Sequence, residues 1–137
     1  MTGLVVCAAV LATASAFGVL HRRRSGRVRV RGRDDGKRLG AEQLGEALGE
    51  RATLVQFSSA FCAPCRATRR VLAEVAGLVP GVSHVEIDAE DRLALVRELD
   101  ILKTPTVLVL DAQGRIVRRA TGRPRKADVI AALGEAV

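Results

Sequence analysis

The hydrophobic and polar positions of this chain fall into three regimes. Gly3 to Leu20 (GLVVCAAVLATASAFGVL) is a run of eighteen residues without a charge. As a helix it would span about 27 Å, close to the roughly 30 Å of a bilayer's hydrocarbon core. Residues 21–38 hold little that is apolar beyond Val28 and Val30. From residue 39 onward the periodicities of a folded domain begin. Leu44 and Leu48 share one face of a short helix over 41–48. Thr53 to Phe57 (TLVQF) reads as a buried strand. A helix follows over 62–78, with Val71, Val75 and Val79 four apart and Leu72 and Ala76 beside them, and Pro80-Gly81 ends it. Val82 to Asp88 is a second strand, and Glu90 to Leu99 a helix striped by Leu93, Val96 and Leu99. Thr106 to Leu110 (TVLVL) is the continuous apolar run of a central strand covered on both faces. A turn at Asp111 to Gly114 leads into an edge strand over 115–120, so the last two strands form a hairpin. Pro124 opens a final helix with Val129, Ile130 and Leu133 inward. The order predicts an α/β domain with a mixed central sheet and helices on both faces.

Charge sharpens the division. The formal net charge is +7. Arg22, Arg23, Arg24, Arg27, Arg29, Arg31, Arg33, Lys37 and Arg38, less Asp34 and Asp35, account for all of it. The thirteen basic and thirteen acidic residues from Leu39 onward cancel. A nucleic-acid binder would carry its excess on a folded face with base-reading residues beside it, so no nucleic-acid partner is expected. We read 1–20 as a transmembrane anchor, 21–38 as a basic linker and 39–137 as the domain. The alternation of Arg and Val over 27–31 hints at a strand, but nothing obvious covers it, and the linker is read as a flexible tether. Residues 3–20 would enter the membrane, and each arginine of 22–38 would add roughly 1 kcal/mol of attraction to an anionic leaflet.

A cleaved signal peptide is the rival for the N-terminus, since Ala14-Ser15-Ala16 resembles a cleavage site. Against it, no side-chain charge precedes the apolar run, and three arginines follow directly. Basic residues resist translocation, which predicts a single-pass membrane protein with its domain on the cytoplasmic side. Ala8, Ala12 and Ala16 lie on one helix face, as an alanine-rich segment would place them anyway.

The candidate chemistry is Cys62-Ala63-Pro64-Cys65, where a strand hands over to a helix. The unpaired N–H groups of a helix N-terminus carry partial positive charge, which favours thiolate and pulls a cysteine below its free pKa of ~8.5. Thiolate is the attacking species in disulfide exchange. Cys62, at the exposed cap, is the expected nucleophile. Cys65, one turn further in, is the resolving partner. Pro64 falls in the first turn, where its missing N–H costs nothing. A structural metal would need about four ligands; His84 and carboxylates are the only neighbours on offer and there is no second CxxC, so no metal is expected. Cys7, among apolar residues, reads as a small filler.

With these residues in place the chain resembles the thioredoxin family from about residue 40 to its end. The match is carried by Thr53-Leu54-Val55-Gln56-Phe57, Phe61-Cys62-Ala63-Pro64-Cys65-Arg66, Val85-Glu86-Ile87-Asp88, Thr104-Pro105-Thr106-Val107 and Gly122. The resemblance implies the three-layer thioredoxin fold and thiol–disulfide oxidoreductase activity. By it, Pro105 is the cis-proline facing the cysteine pair, and Thr104 offers backbone groups to an extended substrate. Phe61, Ala63, Pro64, Thr104 and Gly122 would border the docking surface. The chain departs from the family at three places. Gln56 stands where a buried acid is usual and His84 where a lysine is common, so His84, near Gln56, becomes a candidate for proton transfer at Cys65. Ser58 and Phe61 replace tryptophans, and the spacer is Ala-Pro rather than Gly-Pro.

The expected function is thiol–disulfide exchange, working as a disulfide reductant on protein substrates. No NAD, flavin or haem signature is present, so no cofactor is expected and electrons would come from a separate reductase. Two alternatives stand beside it. One is an exported, anchored protein of envelope disulfide or cytochrome maturation, disfavoured by the short stretch between Ala89 and Thr104. The other is a non-catalytic binding module or metal carrier of the same fold.

Overall fold

A computed structural model describes residues 1–24, 28–29 and 34–137. Helix α1 (Thr2–Arg24) carries the apolar run and continues through the first arginines. Its span over Thr2–Arg23 is long and apolar enough to cross a membrane, and none of it is buried against the rest of the chain. Then follow β1 (Val28–Arg29), α2 (Ala41–Leu44), β2 (Ala52–Ser58), α3 (Ala63–Leu78), β3 (Val82–Asp88), α4 (Leu93–Glu98), β4 (Thr106–Asp111), β5 (Ile116–Thr121) and α5 (Lys126–Ala136).

The strands form one sheet in the order β1-β5-β4-β2-β3. Strands β2 and β3 run parallel, in register from Ala52↔Val82 to Ser58↔Asp88. Strand β4 lies antiparallel to both β2 and β5. Because side chains alternate along a strand, the sheet divides the interior in two. Val55, Phe57, Val85, Ile87, Leu108 and Leu110 pack on one face with Leu44, Leu95, Leu99 and Ile101. Ala52, Leu54, Val107 and Val109 pack on the other with Leu72 and Val75 of α3 and Val129, Ala132 and Leu133 of α5. The expected mixed sheet with helices on both faces is what the chain forms.

Several local expectations change. Helix α2 stops at Leu44 because Gly45 takes a left-handed conformation (φ 77°), which glycine adopts without a side-chain penalty. Helix α4 starts at Leu93, later than expected. It turns Leu95 and Leu99 inward and leaves Leu93 exposed. In α5 the inward set is Val129, Ala132 and Leu133, an i, i+3, i+4 face, while Ile130 is exposed.

The segment entering the domain departs furthest from expectation. Strand β1 pairs antiparallel with β5, Val28 with Ala120 and Arg29 with Arg119. Further on, Arg38 bridges Arg115, the Ile116 N–H donates to the Lys37 carbonyl at 3.1 Å, and the Leu39 N–H to the Gly114 carbonyl at 2.9 Å. The outer edge of β5 is therefore partly covered, and residues 28–29 and 34–38 belong with the domain rather than with a free tether. Arg27, Val30, Arg31 and Arg33, on which the tether and strand readings also rested, lie outside the described residues.

Candidate active site

Strand β2 and helix α3 meet at the cysteine pair. All seven residues of β2 are buried, so the strand is fixed between β3 and β4, and the turn after it can be held in one place. Phe61 in that turn has φ 59°, a conformation that costs a side-chain-bearing residue on the order of 1–2 kcal/mol. Its ring is fully exposed. Cys62 is the N-cap of α3, and its Sγ accepts the Cys65 backbone N–H at 3.2 Å. Pro64 occupies the first turn, as expected from its lack of an N–H. The two sulfurs are joined, 2.04 Å apart, with Cα atoms 5.2 Å apart. Cys62 is half-buried, whereas Cys65 is only 1% exposed. Of the two, solvent meets the cap sulfur.

Helix α3 holds this geometry by its buried face of Cys65, Thr68, Leu72 and Val75, residues spaced three and four apart. Thr68 is anomalous among them: its hydroxyl is buried with no hydrogen-bond partner.

Opposite α3 on the sheet, Gln56 is fully buried. Its Nε2 donates to the Cys65 carbonyl at 2.9 Å and to Ser58 Oγ at 2.9 Å. His84 Nε2 lies 3.3 Å from Gln56 Oε1, so the expected neighbourhood of Gln56 and His84 is present. Gln56 reaches the backbone of Cys65 and stands between its residue and the imidazole. Burial holds His84 below the ordinary histidine value; Glu86 opposes this, Arg69 adds to it and Glu46 opposes it. Glu86 is itself held below the ordinary carboxylate value, chiefly by its hydrogen bond from Arg69.

The loop before β4 completes the site. The Thr104–Pro105 bond is cis, and the Pro105 carbonyl accepts the Gly122 N–H at 2.8 Å. Thr104 Oγ1 and Ser59 Oγ are 2.7 Å apart, which joins this loop to the turn before Cys62. Sequence reading passed over Ser59; adjacency to the CxxC turn was the one available signal. Ala63, Pro64, Thr104, Pro105 and Gly122 line one open groove of about 730 Å³. Phe61 lines a separate recess beside Cys62, Cys65 and Arg66. The expected border residues are thus divided between two adjoining depressions.

Comparison with known proteins bears on this arrangement. A family model described as Thioredoxin matches residues 40–135. A thioredoxin of Mycolicibacterium smegmatis is 30% identical over 87 residues, which cover 61% of this chain and 77% of that protein. A thioredoxin H-type of Ricinus communis is 29% identical over 69 residues, covering 50% of this chain and 58% of that protein, so the match spans less than two thirds of that relative. Among solved structures, a chloroplastic thioredoxin z superposes with a TM-score of 0.60 at 25% identity, over 72% of this chain and 90% of that one.

Proposed function

Because the chain belongs to the thioredoxin family, we propose that it is a disulfide reductant in which Cys62 attacks and Cys65 resolves. One observation carries the assignment of roles. The cap sulfur of α3 is the accessible one and accepts an N–H of the helix's first turn, while its partner is enclosed behind it. In the reduced chain the Cys62 thiolate attacks a substrate disulfide and displaces one substrate sulfur as thiolate. The Cys65 thiolate then attacks Cys62 Sγ and displaces the second. The substrate gains two electrons and leaves as a dithiol, and the chain is left as the Cys62–Cys65 disulfide, the form seen here. A separate reductase would return the two electrons.

The groove of Ala63, Pro64, Thr104, Pro105 and Gly122 would seat an extended substrate segment, with Phe61 at its margin. Gln56 would hold the Cys65 backbone at the right depth. His84 is assigned an indirect part in the chemistry at Cys65: the Gln56 amide between them cannot relay a proton, so His84 would move one only through an ordered water and would otherwise act by positioning Gln56.

The test is reduction of insulin by the full chain, with dithiothreitol as electron source. Wild type should exceed a Cys62→Ser variant, and equal rates would remove the catalytic reading in favour of a binding module.

Helix α1 supports a membrane-anchored form, with the arginines at its end favouring a cytoplasmic domain. Labelling of single-cysteine variants in intact and opened cells decides between this and an exported domain. Labelling in intact cells by an impermeant maleimide would favour export.

A further inference from the structure

We propose that the groove beside the cysteine pair selects acidic segments, so that the preferred substrates are protein disulfides flanked by Asp and Glu. This rests on the disulfide-reductant reading above and adds a substrate class to it. Lys103 immediately precedes Thr104, and Arg123 immediately follows Gly122. The bond from the Gly122 N–H to the Pro105 carbonyl ties their two loops together, and the Thr106 hydroxyl donates to the Lys103 carbonyl at 2.7 Å. Both cations therefore leave backbone positions fixed on either side of the cis-proline loop. Both side chains are exposed and line the groove. A third cation, Arg22 near the end of α1, completes the lining, and no carboxylate takes part in it. The neighbouring recess at Cys62 is bordered by Arg66 and by Arg69, the latter paired with Glu86.

The charge lining the groove is not cancelled by ion pairs among the described residues, as is also true of Arg51, Arg70 and Arg97 elsewhere on the surface. Arg69, Arg118, Arg125 and Lys126 each hold a carboxylate partner at the surface. Among the described residues, Lys103, Arg123 and Arg66 hold none. A domain with equal numbers of acids and bases thus leaves cations unpaired around its reactive sulfur. A peptide accounts for this better than a lipid headgroup does. The cations flank a groove walled by Ala63, Pro64, Ala67 and Pro105, with Ala63 and Pro64 lying between the two cysteines in the chain, whereas a bilayer contact needs charge alone. Charge of one sign lining a cleft raises the local concentration of oppositely charged ligands and speeds their encounter.

The test uses the pre-reduced full chain in neutral detergent. Two model peptides share one intramolecular disulfide and differ only in Glu or Lys flanks; a neutral disulfide dye is run in parallel, and each variant's peptide rates are normalised to it. At low ionic strength the Glu peptide should be reduced about tenfold faster. The ratio should fall toward one in ~1 M salt, where screening acts over about 3 Å. Lys103→Glu combined with Arg123→Glu should abolish or reverse it. Equal rates for the two peptides with wild type, or a ratio untouched by the double substitution, would overturn the proposal while leaving the reductant reading in place. Absence of dye reduction would overturn both. Weakened binding of the double variant to phosphatidylserine vesicles, with an unchanged peptide ratio, would assign the cations to the bilayer and overturn the proposal.

Discussion

Asp34 and Arg119 meet in a two-pronged ion pair inside the protein, Oδ1 to Nη2 at 2.7 Å and Oδ2 to Nε at 2.8 Å, although 85 residues separate them. Both side chains are nearly inaccessible, 6% and 4% exposed. The pair fastens the basic segment to β5. A guanidinium left alone at such a depth is costly, because neither water nor a carboxylate compensates its charge. Asp34→Ala should therefore lower stability by about 3–5 kcal/mol, read by urea unfolding of the detergent-solubilised chain. Joint replacement as Asp34→Leu with Arg119→Met should recover most of the loss. A single-variant loss under 1 kcal/mol would mean that the pair does not hold the segment in solution.

The cysteine roles predict opposite fates for two single substitutions. Cys65→Ser should leave Cys62 able to attack but nothing to finish the exchange, so substrates accumulate as mixed disulfides on Cys62. Cys62→Ser should trap none and reduce insulin no faster than dithiothreitol alone. Mass spectrometry of trapped adducts checks both; adducts on Cys65 in the Cys62→Ser chain would reverse the assignment.

His84 makes stability depend on pH. Its folded-state pKa lies below the unfolded value because burial disfavours the imidazolium. As pH falls through the ordinary histidine range, near ~6.5, the unfolded chain takes up the proton first and stability declines. Above that range the residue imposes no such penalty. His84→Gln should flatten the profile between pH 7 and pH 5, measured as the urea midpoint at each pH. An unchanged slope would place the pH dependence elsewhere.

Thr68 predicts a gain. Its hydroxyl is enclosed and makes no hydrogen bond, so it has lost water without compensation. Thr68→Val keeps the shape and removes the polar atom. It should raise stability by about 1 kcal/mol, seen as a higher urea midpoint with unchanged steepness; a lower midpoint would mean that the hydroxyl is satisfied in solution.

Local pattern made much of this fold and site legible. Strands β2 and β4 are contiguous segments buried almost throughout, and helix α3 buries one face at three- and four-residue spacing. The cysteine pair announced itself by lying between two of them. Helices α4 and α5 were read less well because both offer more apolar residues than one face can bury. Leu95 replaced Leu93, and Ala132 replaced Ile130, once the true first turn set the phase. Asp34 lay in a run of arginines and read as a solvated charge; its partner stands on a strand at the far end of the chain, a separation that no local period can bridge. The hydroxyl contact of Ser59 with Thr104 was hidden for the same reason.

The path of the entering segment along β5 has a consequence for self-association. A bare sheet margin offers a template on which a second molecule can add its own strand. Here the positions beside Ala120, Arg119, Arg115 and Ile116 are already occupied by residues of the same chain. Another copy could zip onto that flank only after peeling Asp34 away from Arg119, so strand-to-strand growth is directed to the opposite margin, at β3.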